Sequence, residues 1–449
     1  MAARRFPPRV DSSTGDLSQN PTPESLRRSR VQPQQAPLRE GAEPRPIELI
    51  GPRISLYSPE FAHDPHRAYE DMRRRYGPLV PVEIDPGIPA TLVIGYSTAV
   101  KILGDETRFP ADPRAWQKTI DPDSPILPMV EWRPNALRNV GATRVRYRTA
   151  TNDALAGVDL HSLHAVVERI AVPLINSFCR AGEADLISQY VQPLVFSVLN
   201  HILGCPPEIG ERVAAASAAM FEGVDTATVN AMLDDALLEL VELKRTHPAE
   251  DVATRLVQHP ADLDDKELIN ALVTCYAAGI EPQQNLIANT LRLMLTDSRW
   301  ETDNLGSAPL TRAALEEILA TDPPLANYCI TYPPNPVMIA GASLPANEPV
   351  IISMAACSND PAMNNGQYFG HGAAWSLGWG GPSPHQCPRQ AQASAFQIAQ
   401  DAIDQLLDAL PELGLAVPAQ DLVWRPGPFH RALAALPVAF PKMPPLNVG

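Results

Sequence analysis

The chain has 449 residues, 45% of them apolar, and a formal net charge of −15. That acidic balance argues against nucleic acid or an anionic membrane as the main partner. No apolar run approaches the ~18–20 residues of a membrane span, and no hydrophobic stretch follows Arg4 and Arg5, so a cytoplasmic chain without a membrane span is expected.

Residues 1–46 are rich in Pro, Arg, Ser and Gln and poor in large apolar side chains. Such a segment cannot bury enough surface to offset chain entropy, and a disordered tail is expected there. Ordered sequence is expected to begin near "IELIGPRISLYSPEF" and to form one domain over residues 47–449. "LVPVEIDPGIPATLVIGY" reads as two short strands about the turn Pro86-Gly87. From Asp159 the pattern turns helical: "LHSLHAVVERIAVPLINSF" and "ADLISQYVQPLVFSVLNHIL" repeat apolar residues at helical spacing, with Pro173 and Pro193 implying kinks or breaks.

"DDKELINALVTCYAAGIEPQQNLIANTLRLML" is the longest helical candidate. Asp264 and Glu267 resemble a capping-box start. Leu268, Leu272, Cys275, Gly279, Leu286 and Leu293 share roughly one face, and Pro282 interrupts the run. A shorter helix, "RAALEEILA", follows. "PVMIAGASLPANEPVIISMA" then reads as strand, turn, strand. The expected class is mainly α with small β-sheets.

The six cysteines, Cys179, Cys205, Cys275, Cys329, Cys357 and Cys387, are scattered and form no C-x-x-C pair. This is neither a disulfide framework nor a zinc knuckle, and it fits a reducing compartment with most thiols as small buried groups. Cys387 differs from the rest. It sits in "LGWGGPSPHQCPRQ", a loop of Gly, Pro, Ser and His directly before a helical stripe of Phe396, Ala399, Ile403, Leu406, Leu407 and Leu410. Close backbone N–H groups and the positive end of a following helix both favour a thiolate. Three readings stand: a packed thiol, a nucleophile with His385 as its base, or a metal ligand. A zinc site takes about four ligands, and His385 and Cys387 supply only part of such a set.

Several stretches, taken in order, resemble the soluble bacterial cytochrome P450 family, the heme-thiolate monooxygenases. They are "SLYSPEFAHDPHRAYEDMRRRYGPLVPVE", "GATRVRYR", "AAGIEPQQN", "EEILATDPP", "LPANEPVIISMAACSNDP" and "VWRPGPFHRALAALPVAF", from about Ile47 to Phe440. Each is weak alone; their joint order is specific. The resemblance implies the cytochrome P450 fold, heme b as cofactor, Cys387 as the axial iron ligand and His385 at a propionate. It also implies Arg144 and Arg148 over the propionates, and a ferredoxin-type electron donor. A solvated basic face, including Arg138 and Arg146, is the alternative for those arginines.

The chain departs from the family pattern at several points. The loop usually reads Phe-Gly-x-Gly-x-His-x-Cys-x-Gly; here Trp379 lies one place further out, Ser383 replaces the second glycine and Arg389 the last. The usual His-x-x-x-Arg is Arg144-x-x-x-Arg148. The acid of the oxygen site is Glu281, but Pro282 stands where the family has Thr, deleting a hydroxyl and a backbone N–H. Glu281 can still deliver protons through water with Gln283 or Gln284, or serve only at the start of the second half-helix. Glu317 of the Glu-x-x-Arg pair meets Ala320 where the arginine belongs, so its carboxylate must be protonated, exposed or paired elsewhere. The segment between Asp360-Pro361 and the cysteine loop is short for the family. Together with "EWRPNAL", "DPPLANY" and Pro388, these changes resemble a bacterial subgroup that lacks that arginine and has Glu-Pro for acid-Thr.

The implied activity is insertion of one atom of O2 into an apolar small molecule. The alternative is an atypical heme protein, either peroxide-driven or a non-catalytic module that binds a ligand or a protein partner.

Overall fold

Pro86 and Gly87 reverse the chain between two apolar runs, and this hairpin is the centre of the main sheet. In the computed structural model, which describes residues 47–48, 52–221, 226–300, 307–364, 376–380 and 386–447, β2 (Leu79–Asp85) and β3 (Ile88–Val93) pair antiparallel about that turn. β1 (Ile54–Ser55) runs parallel to β2. β5 (Val350–Ser353) runs parallel to β3 and antiparallel to β4 (Asn327–Thr331), so the sheet order is β1-β2-β3-β5-β4. By its internal contacts the chain divides between Arg45 and Pro46. The expected disordered tail over 1–46 and the ligand candidate His385 lie outside the described residues.

"PVMIAGASLPANEPVIISMA" holds more than one hairpin. Val337–Ile339 and Ala342–Leu344 pair with each other, and Ala342–Leu344 also pairs with Ile47–Glu48, while β5 joins the other sheet. A third small sheet joins Glu183–Asp185, Pro437–Ala439 and Gly414–Leu415.

The helices that carry the rest are α1 (Pro65–Tyr76), α2 (Gly141–Ala156), α3 (Leu160–Phe178), α4 (Gln192–Leu203), α5 (Pro207–Phe221), α6 (Thr226–Thr246), α7 (Asp265–Gly279), α8 (Glu281–Thr296), α9 (Ser307–Thr321) and α10 (Arg389–Ala409). The two expected proline breaks differ. Pro173 stays inside α3. Pro193 sits in the first turn of α4, after a π-helical turn over Ile187–Val191, where its missing N–H costs little.

The long central candidate divides as Pro282 requires. α7 ends at Gly279, Ile280 is the hinge, and α8 starts with Glu281 and Pro282 in its first turn. The single face expected from Leu268 to Leu293 is therefore split between two cores. Leu268 and Leu272 pack in a cluster with α5 and α6. Leu286 packs in another with α3, α9 and α10, and Leu293 lies against it. No helix among the described residues is long and apolar enough to cross a membrane.

The expected capping box is present at the start of α7. The Asp264 carboxylate accepts from the Glu267 N–H, and the Glu267 carboxylate accepts from the Asp264 N–H. Glu267 does more than cap. Arg146 donates to its two oxygens at 2.7 and 2.8 Å, and the Tyr147 hydroxyl donates at 2.7 Å. α7 is thereby tied to α2, and Arg146, which the solvated-face alternative included, is a half-exposed ion-pair partner of Glu267. Hydrogen bonds from Arg146 lead in holding the Glu267 carboxyl down to about 2, against the upward push of burial. A depressed carboxyl stabilises the fold above its unfolded value of 4.5 and loses that contribution as pH falls toward 2. Glu267→Gln is expected to lower the melting temperature near neutral pH and to flatten its decline in acid. Parallel acid profiles for parent and variant would rule out Glu267 as a source of that decline.

Candidate active site

Cys387 lies just before α10, and its loop closes on itself twice. The Cys387 N–H donates to the carbonyls of Gly378 at 2.9 Å and Trp379 at 3.2 Å. From the first turns of α10, Gln392 donates through Nε2 to the carbonyls of Cys387 at 2.7 Å and Trp379 at 2.8 Å. Gly378 has φ +79°, where a β-carbon is strained, and such a carbon would stand 3.5 Å from the Cys329 Sγ. Trp379, displaced by one place in the sequence, packs against the helical core.

Burial pushes the Cys387 thiol up to about 11, and the nearby Arg148 opposes that push. A thiol so placed stays protonated at neutral pH and is a poor free nucleophile. A bound metal cation reverses this, because coordination deprotonates a thiol outright. Among the described residues no group of three or more His, Cys, Asp or Glu side chains gathers around a metal position. The iron of a macrocycle brings most of its own ligands and needs little more from the protein than one thiolate. The residues present fit heme in this respect: one sheltered thiol, with cations near it.

Those cations come from α2. Arg148 donates through Nη2 to the carbonyl of Gln386, next to Cys387. Burial lowers its basicity, the field of Cys387 raises it, and the like charge of Arg144 lowers it again. Arg144 is buried on the same helix face and pairs through Nη1 with Glu106 Oε1 at 2.9 Å. Arg138, which the solvated-face alternative included with Arg146, is buried instead.

Glu281 opens α8, and its carboxylate is held from two sides. Arg425 donates to it from the C-terminal segment, and Asn285 donates through Nδ2 at 3.2 Å. Of the two glutamines expected to help it, Gln283 is committed elsewhere: its Nε2 donates to the Ala395 carbonyl at 2.9 Å and ties α8 to α10. Gln284 instead lines a cavity of about 40 Å³ with Asn285, Ala288 and Arg425, room for a water molecule.

The partner that Glu317 needs is Arg299. Its guanidinium donates to the two carboxylate oxygens at 2.8 and 3.3 Å while also holding Asp297. The carboxylate is thus paired elsewhere, from before α9, in the absence of an arginine at position 320. Asp322, in the "DPP" turn after α9, was not singled out by the sequence. It is partly buried, pairs with Arg431 at 3.3 Å and lies 3.2 Å from His66.

No protein-family model matches the chain. The curated relatives do. Cytochrome P450 monooxygenase PikC of Streptomyces venezuelae is 27% identical over 401 residues, 84% of this chain and 92% of that protein. Vitamin D(3) 25-hydroxylase of Pseudonocardia autotrophica is 25% identical, over 85% of this chain and 95% of that protein. Among solved structures, CYP154C4 from Streptomyces sp. ATCC 11861 superposes with a TM-score of 0.76 at 25% identity, covering 87% of this chain and 99% of that one. Over most of its length the chain is similar to bacterial cytochrome P450 monooxygenases.

Its fold is the P450 fold, and its class is that of the P450 monooxygenases, whose cofactor is heme. A myxobacterial P450, CYP267B1, solved with myristic acid, has the same fold, with a TM-score of 0.73 and 24% identity. In this chain the cysteine loop is closed by Gln392, and Glu317 pairs with Arg299.

Gly378→Ala places a β-carbon in the left-handed region at a cost of about 1–2 kcal/mol, and a lower melting temperature with faster loss of heme is expected. Gln392→Leu removes both loop hydrogen bonds and is expected to broaden or shift the heme absorption band. Unaltered stability and spectra in both variants would show that the loop is held by other means.

Proposed function

We propose that the chain is a heme b monooxygenase of the cytoplasm that inserts one oxygen atom of O2 into an apolar small molecule, with electrons from a ferredoxin-type partner. In this reading residues 47–449 form the heme domain. The observation that carries it is the closed loop presenting one sheltered thiol, Cys387, with Arg148 beside it. Cys387 would hold the heme iron through its thiolate. Arg148 and Arg144, with His385, hold the propionates, and Arg144 spends one nitrogen on Glu106. Bound there, heme supplies the activation of dioxygen for oxygen transfer. The names of relatives and neighbours carry vitamin D(3) and myristic acid, which supports an apolar substrate.

Glu281 is the proton carrier in this scheme. The water-sized cavity beside Gln284 and Asn285 supports it, since a carboxylate that exchanges protons with water can pass them inward. Its ion pair with Arg425 must loosen first, and Pro282 offers no hydroxyl to receive the proton. These two features favour a second reading, a peroxide-driven enzyme, because peroxide brings its own protons and electrons.

The reduced protein with CO should show the absorption band of a thiolate-ligated heme, and Cys387→Ser should abolish it. Persistence of that band in the variant overturns the ligand assignment. Turnover with ferredoxin and its reductase, set against turnover with peroxide, separates the two readings. Pro282→Thr is expected to raise the fraction of electrons that reach product in the first case. Unchanged coupling would clear Pro282 of limiting oxygen activation.

A further inference from the structure

The C-terminal segment meets α8 as a hairpin. Its two arms are joined by the Arg425 N–H, which donates to the Ala432 carbonyl, and the Ala434 N–H, which donates to the Val423 carbonyl, each at 2.8 Å. The second arm is pinned on both sides. The Arg431 N–H donates to the Pro324 carbonyl at 2.9 Å, and the Arg431 carbonyl accepts from Asn289 Nδ2 of α8 at 2.8 Å. The backbone is thus fixed here, and any adjustment falls to side chains.

Beside the hairpin lies a cavity of about 10 Å³, close to what one water molecule needs, and its lining includes Tyr69, Arg425, Gly427, His430 and Arg431. The His430 ring packs on Gly427, where a β-carbon would stand 2.8 Å from Nε2. Nε2 is shut off from solvent and has no hydrogen-bond partner among the described residues. A buried polar atom left in that state is costly. Two donors that share the cavity are committed elsewhere. The Tyr69 hydroxyl donates to Asn327 Oδ1 at 3.0 Å. The Arg431 guanidinium donates to Asp322 at 3.3 Å and to the Ala62 carbonyl, and it lies on the Trp424 ring. The third donor is Arg425. It lines this cavity and the one beside Gln284 and Asn285, and there it holds Glu281. Its guanidinium stands between two acceptors, the Glu281 carboxylate and His430 Nε2.

Burial leads in lowering the basicity of His430, and the charge of Arg425 adds to it. Glu281 and a hydrogen bond to the Arg425 backbone oppose them. Among the described residues, the ionisable groups around His430 are Arg425 and Arg431 of the hairpin, Glu281 of α8 and Tyr69 of α1, with Asp322 and His66 behind Arg431. A neutral imidazole carries one lone pair; a protonated one carries none and repels a guanidinium.

We propose that His430 is a positioning residue that receives the Arg425 guanidinium when it leaves Glu281, so that the carboxylate is freed to carry a proton. This rests on the reading of Glu281 as proton carrier. A guanidinium moved into a space without an acceptor meets a large desolvation cost, and a lone pair already in place lowers it. His430 exchanges no proton in this step; it accepts a hydrogen bond.

The test takes the heme-loaded full chain and reads the ratio of turnover driven by ferredoxin and its reductase to turnover driven by peroxide, which needs no proton from Glu281. His430→Leu is expected to lower that ratio about tenfold, the loss of one hydrogen bond to a charged group. His430→Gln, which keeps an acceptor, is expected to restore it. In the parent the ratio should fall as acid protonates His430, and in His430→Gln that fall should be absent. A parent-like ratio in His430→Leu overturns the proposal, and so does an equally steep acid fall in His430→Gln. A second arm needs no turnover and follows the His430 Nε2 resonance in protein with isotope-labelled histidine. Glu281→Gln, which removes the charge holding Arg425, should move that resonance toward a hydrogen-bonded nitrogen, and adding Arg425→Leu should move it back. A resonance indifferent to both changes overturns the swing of Arg425. If the parent turns over only with peroxide, or with neither, the reading of Glu281 fails, and the resonance arm still decides whether His430 receives Arg425.

Discussion

The Glu267 carboxylate is the point on which the helical half of the molecule is hung. It closes the capping box of α7 and accepts from Arg146 and Tyr147 of α2. The same helix carries Arg144 and Arg148 toward the cysteine loop. A charge-assisted bidentate pair fixes orientation as well as distance, so the setting of α2 along α7 also sets where Arg148 meets the Gln386 carbonyl. α7 in turn leads into Ile280, Glu281 and Pro282.

Pro282 makes the second constraint. A helix that passed unbroken would present one apolar stripe to one core. The missing N–H at Pro282 ends α7 at Gly279, and the two halves serve different clusters. α8 is then fastened to α10 by Gln283. The break therefore joins two packing units at the position of the candidate proton carrier, and it removes the hydroxyl expected there. Arg425, reaching in from the C-terminal segment, neutralises Glu281 in its place.

The departures from the family pattern are compensated locally. Ala320 forfeits one arginine, and Arg299 supplies another from outside α9. The altered glycines of the cysteine loop are accompanied by the Gln392 side chain, which satisfies two loop carbonyls. Each substitute comes from a different position in the chain but restores the same physical need: a counter-ion for a carboxylate, or a donor for a carbonyl. A carbonyl left without a donor where water is excluded costs more than the bond itself contributes, whereas the Glu317–Arg299 pair lies partly in solvent.

Local rules in the sequence determined the Pro86-Gly87 hairpin, the capping box at Asp264, the break at Pro282 and the singular setting of Cys387, because each depends on residues within a few places of one another. The order of the motifs was enough to point to the fold. The tertiary structure alone decided the partners of the charges: Arg299 for Glu317, Arg425 for Glu281, Glu106 for Arg144, Glu267 for Arg146, and no carboxylate among the described residues for Arg138. Helical periodicity shows which residues share a face but not what faces them across the core. An arginine reads the same in a sequence whether it is solvated, paired or buried, and only the packing of distant segments fixes which.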